Sequence, residues 1–495
     1  MFGIMIPRCP KKYITNHLFF EQMRTDVLNL AAQRSMFLSP DALEMILGNS
    51  EPMAFMNNIL SSISKNIMFI DKKHVLDYLS GTVPKKEIRP VPVKNKRQYD
   101  ISVVPGTDVT GESVCEGKVE DFSKYFLSRY NLIKDMLRRR MGAVLSIDKA
   151  TSVYREVQVV GMVSETSVTK NGHRMLTLED ESGSCRAIVL KDSPYINDIV
   201  VNDEVIGMIG SPTKDGKLLV ASEVIRPGVP PEPWRPSDSV ASVAFLSDIH
   251  VGSHTFLENR WNNMIAWMKE NAAKTDLDYL ILPGDVVDGI GIFPGQREEL
   301  VIDDIYRQYH RLAELLKEVP DHIKIVLQPG NHDAVRPAEP QPALAKAFAG
   351  TFDSNVMMTA NPVYLNIEGR TILTYHGRSI DDWVAGVQNK RLTYEDPVGV
   401  MREMLERRHL APMYGMKTAL APERKDYLVI DKRPDIFVTG HVHGANTEEH
   451  KGIRLIAAST WQDQTEYQRM HNFNPTPGVM PIVHLGTGNT LMKVF

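Results

Sequence analysis

Short apolar runs that stop at polar clusters recur along the second half of the chain. Val243–Leu246, Tyr279–Leu282 and Ile323–Leu327 are rich in aliphatic and β-branched residues and end at SDIHVG, PGDVVDG and QPGNHD. Runs of this length, bounded by Gly, Asp and Asn, predict buried strands that finish in loops. Two more follow, RTILTYHGRS and PDIFVTGHVHG. Between such runs the apolar spacing lengthens to three and four, as over 261–271 and 304–319. Strands alternating with helices from residue 241 onward predict an α/β sandwich whose working loops lie at the carboxyl ends of the strands.

Upstream the pattern differs. REVQVVGMVSE, HRMLTLEDESG, SCRAIVLKD, DEVIGMIGSP and KLLVASEVIR are five strand-like pieces separated by Asn-Gly, Ser-Gly and Asp-Gly turns. They predict a small antiparallel barrel of the OB type over 151–228. Its aromatics are Tyr154 and Tyr195, neither central in a β piece. A base-stacking face is therefore poorly provided, and a structural or subunit-binding barrel is favoured over a DNA-reading one. DFSKYFLSRYNLIKDMLRRR has helical spacing at Phe122, Tyr125, Phe126, Tyr130 and Ile133 and gives a connecting helix within 121–150, its arginines at 138–140 suiting the helix dipole. Residues 1–80 read as a small helical domain, with Ser39 as N-cap before Pro40. Its Phe19, Phe20, Val27 and Leu28 suit core packing better than a partner-binding stripe. Residues 81–120 form a basic, Pro-rich linker carrying Lys85, Lys86, Arg89, Lys94, Lys96 and Arg97, either a solvated tether or a DNA-trailing arm. A Pro-rich connector over 229–240 precedes the sandwich at 241–495.

Composition narrows the class only slightly. The 495 residues carry a formal charge of −4, so no overall basic field exists and any nucleic-acid contact must rest on local patches or bound metal. Three cysteines without a CxxC spacing argue against a disulfide framework and fit a reducing cytoplasm. No apolar run is long enough to span a bilayer, and the start MFGIMIPRCPKKY lacks a signal-peptide core, so a soluble cytoplasmic protein is expected.

The strand ends carry the chemistry. They deliver Asp248, His250, Asp285, Asn331, His332, His376, His441 and His443 in order. Carboxylate oxygen and neutral imidazole nitrogen suit divalent metal, and the absence of Cys from the set argues against a closed structural zinc. Seven of these, all but His332, make a shell for two ions, manganese first, with magnesium, iron or zinc as alternatives. Asp285 is the expected bridge because its carboxylate has lone pairs for both. His332 is expected to stand outside the metal shell, protonating the leaving oxygen or stabilising the transition-state phosphate, with Asp333 orienting its ring. Asp288 and Arg378 are candidates for the surrounding shell, and the loop DGIGIFPGQREE is expected to rim the site.

The order D-x-H, G-D-x-x-D, G-N-H-D, H, G-H-x-H resembles that of the calcineurin-like metallophosphoesterases. LPGDVVDGIGIFPGQ, QPGNHDAVRPAEPQPAL and YHGRSIDDW, with the barrel before them, more narrowly resemble the small subunits of archaeal family D DNA polymerases, from about Tyr154 to the C-terminus. The resemblance implies a four-layer phosphoesterase sandwich directly preceded by an OB domain. It further implies a metal-dependent 3′→5′ exonuclease acting on single-stranded DNA ends, with His332 as proton donor, in a heterodimer whose large subunit extends primers. Met492 and Phe495 only weakly resemble a sliding-clamp-binding tail, and a closing strand is the better reading of PIVHLGTGNTLMKVF. Two competing readings are a stand-alone phosphatase or nucleotidase and a non-catalytic scaffold subunit. The long extension before the sandwich weighs against the first, and the unbroken ligand set against the second.

Overall fold

Val243, Phe245, Tyr279 and Ile281 pack with Leu365, Ile372, Ile436 and Val438 in one buried layer between two six-stranded sheets. The computed structural model describes residues 23–31, 36–62, 69–80, 99–387, 392–470 and 473–495. It divides into two units, 1–98 and 99–495.

In the larger unit, the first sheet pairs Ser242–Phe245, Leu277–Pro283, Lys324–Gln328 and Val356–Met358 in parallel. Val479–His484 and Thr490–Val494 extend it antiparallel on the other side. The apolar runs of the sequence are these parallel strands. They lack alternation because both faces are covered: Ala244, Leu280, Leu282 and Leu327, which alternate with the residues in the layer between the sheets, are buried too. The crossover helices Glu258–Asn271 and Ile305–Lys317 bury one stripe each, Trp261, Met264 and Met268 on the first and Tyr309, Leu312 and Leu316 on the second. Asp304 caps the latter by accepting from Arg307 N–H at 2.9 Å.

The second sheet runs Ala445–His450, Ile453–Ala458, Ile436–Thr439, Arg370–Thr374, Val363–Ile367 and Ile101–Val103. Its central strands Arg370–Thr374, Ile436–Thr439 and Ile453–Ala458 are parallel. Helices Ile380–Gly386 and Pro397–Arg407 pack on its outer face through Trp383, Val400, Met401 and Met404 against Leu373, Phe437 and Leu455. The stretch 394–408 thus contributes a covering helix. Ile101–Val103, expected within the linker, is an edge strand on Val363–Ile367, and Ser113 and Val114 donate to the buried Glu423 at 2.6 and 3.0 Å. The described part of that stretch is pinned to the sandwich because it pairs its backbone there.

The strands Val157–Val168, Arg174–Asp180, Gly183–Val189, Leu218–Ile225 and Val205–Pro212 form a closed five-stranded barrel, since the first pairs with both the second and the last. Helix Val119–Arg138 joins barrel to sandwich. Tyr130 Oη donates to Val160 O at 3.1 Å, and Arg129, fully buried, donates to Asp426 at 2.8 Å and to Asp203 O at 3.2 Å. In the Pro-rich connector, Trp234 lies under the Arg370 guanidinium at 4.3 Å. Phe495, which follows the strand Thr490–Val494, packs its ring on Trp267 and Trp461.

The smaller unit contains helices Pro40–Leu47, Pro52–Ser62 and Lys72–Leu79 and a two-residue parallel pairing of Phe37–Leu38 with Phe69–Ile70. Ser39 accepts from Ala42 N–H, and Val27, Ile46, Met56 and Ile59 are in its core, whereas Leu28 is exposed. Phe19, Phe20, Cys9 and the basic residues 85–97 lie outside the described residues. Among the described residues no helix is long and apolar enough to cross a membrane.

Candidate metal centre

The parallel strands of both sheets stop a few residues short of the candidate ligands, and the chain then turns sharply. Asp248, His250, Asp285, His441 and His443 all have left-handed backbones, with φ of 52°, 53°, 47°, 69° and 54°. Non-glycine residues rarely adopt this region, and a cluster of them at one place marks strain held for a purpose. The turns need close approach as well. A Cβ on Gly330 would lie 2.2 Å from Asp285 Oδ1, and one on Gly440 2.5 Å from Asp248 Oδ2.

The side chains converge in three overlapping groups, each with potential ligand atoms within 4.8 Å of one another: Asp248, His250 and His443; Asp285, His376 and His441; and His250, Asp285 and His332. Asn331 joins the second, its Oδ1 3.1 Å from His376 Nε2. All eight residues named from sequence are thus brought together, and Asp285 belongs to two groups.

Most of the rings are held by one nitrogen, which identifies the other as free for a ligand. His250 Nδ1 is 3.0 Å from Asp288 Oδ1, His376 Nδ1 is 2.9 Å from Pro283 O, and His443 Nδ1 is 2.9 Å from the Gln468 amide. Nε2 is left in each. For His441 the direction is reversed: its Nε2 faces Asp381 Oδ1 at 3.4 Å, leaving Nδ1. Such outer partners fix tautomer and orientation. Asp288 was legible as a member of this shell. Asp381, Gln468 and Gln462, which reaches Asp288 at 3.3 Å, were not, because nothing in their local sequence marks them. In YHGRSIDDW, helical placement alone carries Asp381 back to the cleft.

Two contacts test whether a cation fits. Asp248 Oδ1 is buried and makes no hydrogen bond, although His443 Nε2 stands 3.4 Å away. His250 Nε2 and His443 Nε2 lie 3.2 Å apart, two ring nitrogens that need a shared proton or a cation between them. A divalent cation satisfies all three, so the donor set fits one.

Electrostatics agree. Burial alone would push the Asp285 carboxyl up, but the imidazoles of His376 and His332 hold it well below the usual range. His376, against the effect of burial, is pushed up to about 10 by Asp285, whose Oδ2 is 3.3 Å from its Nε2.

One assignment is corrected. Asp333 does not orient His332. Its carboxylate accepts from Gly330 N–H at 2.8 Å, Val286 N–H at 3.3 Å and Tyr309 Oη at 3.0 Å, bracing the loop that carries Asn331. Burial, with the Asp285 charge adding to it, pushes this carboxyl up to about 7. The His332 ring is held instead by Asp288 O, 2.8 Å from Nδ1, and its backbone N–H donates to Asp285 Oδ1 at 2.8 Å. The sequence neighbour was the natural choice for an orienter, but the loop points the two side chains apart.

Carboxylates and imidazoles gathered at the carboxyl ends of strands from two facing sheets place the sandwich among the calcineurin-like phosphoesterases, and the family model of that description matches residues 241–445. Similarity extends well beyond that stretch. A DNA polymerase II small subunit from Thermoplasma acidophilum is 38% identical over 482 residues, 95% of this chain and 93% of that protein. One from Archaeoglobus fulgidus is 38% identical over 91% of this chain and 93% of its own length. Another from Methanocaldococcus jannaschii is 40% identical over 78% and 67%. The chain therefore belongs to the DNA polymerase II small subunit family.

Proposed function

We propose that this chain is the proofreading subunit of a heterodimeric replicative DNA polymerase, a two-metal 3′→5′ exonuclease that hydrolyses single-stranded or mismatched DNA ends while a large subunit extends the primer. The observation that carries this reading is the unbroken set Asp248, His250, Asp285, Asn331, His376, His441 and His443 gathered at the strand ends of a polymerase-subunit chain. A scaffold subunit has no need of strained backbones and buried charges at these positions. A stand-alone phosphatase has no need of the barrel and helices that precede the sandwich.

The seven residues would hold two divalent ions, manganese by preference, with Asp285 shared between them. Such ions, when bound, supply positive charge to the phosphoryl oxygens and make water a stronger acid. The chain's own residues do the rest. Asp288 and Gln468 hold the His250 and His443 rings, and Asp381 that of His441. His332, with Nδ1 tied to Asp288 O, offers Nε2 toward the cleft to protonate the leaving oxygen or hydrogen-bond the phosphate. Arg378, two residues beyond His376, has a buried Nε without a partner and is suited to the same phosphate.

The barrel at 151–228 is read as an OB domain that binds the large subunit together with the adjoining sandwich surface, since Tyr154 is exposed at its margin and Tyr195, half-buried, packs against its core, leaving no stacking face. Residues 1–80 are read as a separate helical domain, and 81–120, 121–150 and 229–240 as the segments joining the domains. A sliding-clamp contact through the C-terminus gains no support, because Phe495 is packed between tryptophans.

The test compares a single-stranded oligonucleotide with a phosphomonoester, each with added Mn²⁺. The proposal expects stepwise shortening from the 3′ end and little monoester turnover, with no primer extension until the large subunit is added. Monoester turnover without oligonucleotide cleavage would favour the phosphatase reading.

A further inference from the structure

We infer that the loop Gly289–Gly295 is a nucleobase wedge: Ile290 and Phe293 pack against the unstacked terminal bases of the strand whose phosphate lies in the metal cleft. This deepens the exonuclease reading and rests on it.

The loop, GIGIFPG, has no side chain that is charged or can hydrogen-bond. Ile290, Ile292 and Phe293 are 43%, 38% and 38% exposed, three large apolar side chains within four residues beside a site built of charges. Exposed apolar residues are ordinary when single, but a cluster marks a contact.

The stem of this loop is fixed. Gln296, buried, donates to Asp288 O at 2.8 Å and Asp288 Oδ2 at 2.9 Å, and accepts from Ile292 N–H at 2.9 Å. Gln308, also buried, accepts from Gly289 N–H at 2.9 Å and donates to Gly289 O at 3.1 Å. Gly289, Gly291 and Gly295 have φ of 74°, 73° and 84°, which let the loop turn tightly between these anchors. The apolar tips therefore stand in water on a rigid base, so little ordering entropy opposes binding.

Position selects the occupant. The Asp288 carbonyl that anchors Gln296 also holds His332, and Ile290 is two residues further on, within about 7 Å of chain. Whatever the tips touch lies within roughly one nucleotide of the reacting phosphate. A protein docked there would cover the cleft, whereas a single strand entering it must put bases there. Base faces are apolar and common to all four nucleotides, and a surface without hydrogen-bonding groups reads none of them, as an exonuclease working on any end requires.

The experiment uses the full chain with Mn²⁺ and compares wild type with the double variant I290S/F293S and with F293Y. Three substrates are offered: a single-stranded oligonucleotide, the same strand with abasic terminal and penultimate positions, and methyl p-nitrophenyl phosphate, a diester without a base. The expected result is a KM for the normal oligonucleotide about tenfold or more higher in the double variant. F293Y should stay close to wild type, and the small diester should be hydrolysed equally by all three. The abasic strand should be as poor a substrate for wild type as for the double variant. Equal oligonucleotide kinetics in wild type and double variant, or an equal loss on all three substrates, would overturn the wedge. So would loss of large-subunit binding with unchanged oligonucleotide kinetics, which would make the loop a protein contact. A wild-type chain inactive on every oligonucleotide would remove the exonuclease reading itself, and the wedge with it, a result distinct from an active enzyme indifferent to its loop.

Discussion

His250 Nε2 and His443 Nε2 stand 3.2 Å apart, each ring fixed by its other nitrogen, and beside them Asp248 Oδ1 is buried without a hydrogen bond. Two ring nitrogens at that distance are held together only by a proton or a cation between them. Mn²⁺ should therefore raise the melting temperature of the purified chain, since mass action adds about 2.7 kcal/mol of stability at a hundred times its Kd. D248N and H443A should abolish most of that rise while leaving the chelator-treated protein folded. Differential scanning calorimetry with EDTA and then with excess Mn²⁺ decides it. No response of the wild type to any divalent ion would remove the metal reading.

His332 and Asp288 separate chemistry from binding. H332A should retain metal yet turn over about 10²-fold or more slowly, the range for losing a positioned acid. D288A leaves the backbone carbonyl under His332 in place but takes the carboxylate from His250 Nδ1, so it should weaken metal affinity about 10- to 100-fold. Metal content and rate measured on the same preparations check both. Because His332 also lies in a group with His250 and Asp285, loss of metal in H332A would reassign it as a ligand.

Why the ligands were legible and their supports were not has a local cause. Asp248, Asp285, Asn331, His376 and His441 each follow a run of buried strand, so chain geometry at the strand end dictates where they go. The five barrel strands were marked in the same way by their turns. Asp381, Gln468 and the pairing of Asp288 O with His332 depend on how separate elements pack, which no local pattern encodes. Asp333 was assigned by adjacency and proved to brace the Asn331 loop. Arg129 reads as an ordinary polar position of an amphipathic helix, yet it is fully buried because Asp426, 297 residues away, supplies its partner.

That distant pair gives a stability prediction. Arg129 satisfies Asp426 at 2.8 Å, Pro412 O at 2.6 Å and Asp203 O at 3.2 Å, tying the helix to both sandwich and barrel. R129M should destabilise by about 3–5 kcal/mol, because it strands a buried carboxylate. Urea unfolding followed by far-UV circular dichroism measures the loss. A change below about 1 kcal/mol would mean that Asp426 finds compensation from Tyr125 and His409.

The same network sets an acid limit. His409, buried, accepts from Ala411 N–H at Nδ1, 3.1 Å away, and faces Asp426 Oδ2 with Nε2 at 2.8 Å, the pattern of a neutral ring protonated on Nε2. A second proton on Nδ1 would break the Ala411 bond and add a positive charge near Arg129. Burial, then the Arg129 charge, outweighs the attraction of Asp426 and pushes the ring down to about 4. An unfolded histidine titrates near about 6.5. Between those values the unfolded chain binds the proton and the folded chain does not, so stability falls as pH is lowered from about 6.5 toward 4, by about 3 kcal/mol in all. Asp426, held low against burial chiefly by His409 and Arg129, adds its own loss only further down, below the ordinary carboxylate range. The difference in urea midpoint between wild type and H409Q, measured from pH 7.5 to 4.5 in chelator, isolates this residue. The variant should be the less stable at pH 7.5, with the gap closing on acidification. A gap independent of pH would show that His409 is not held neutral.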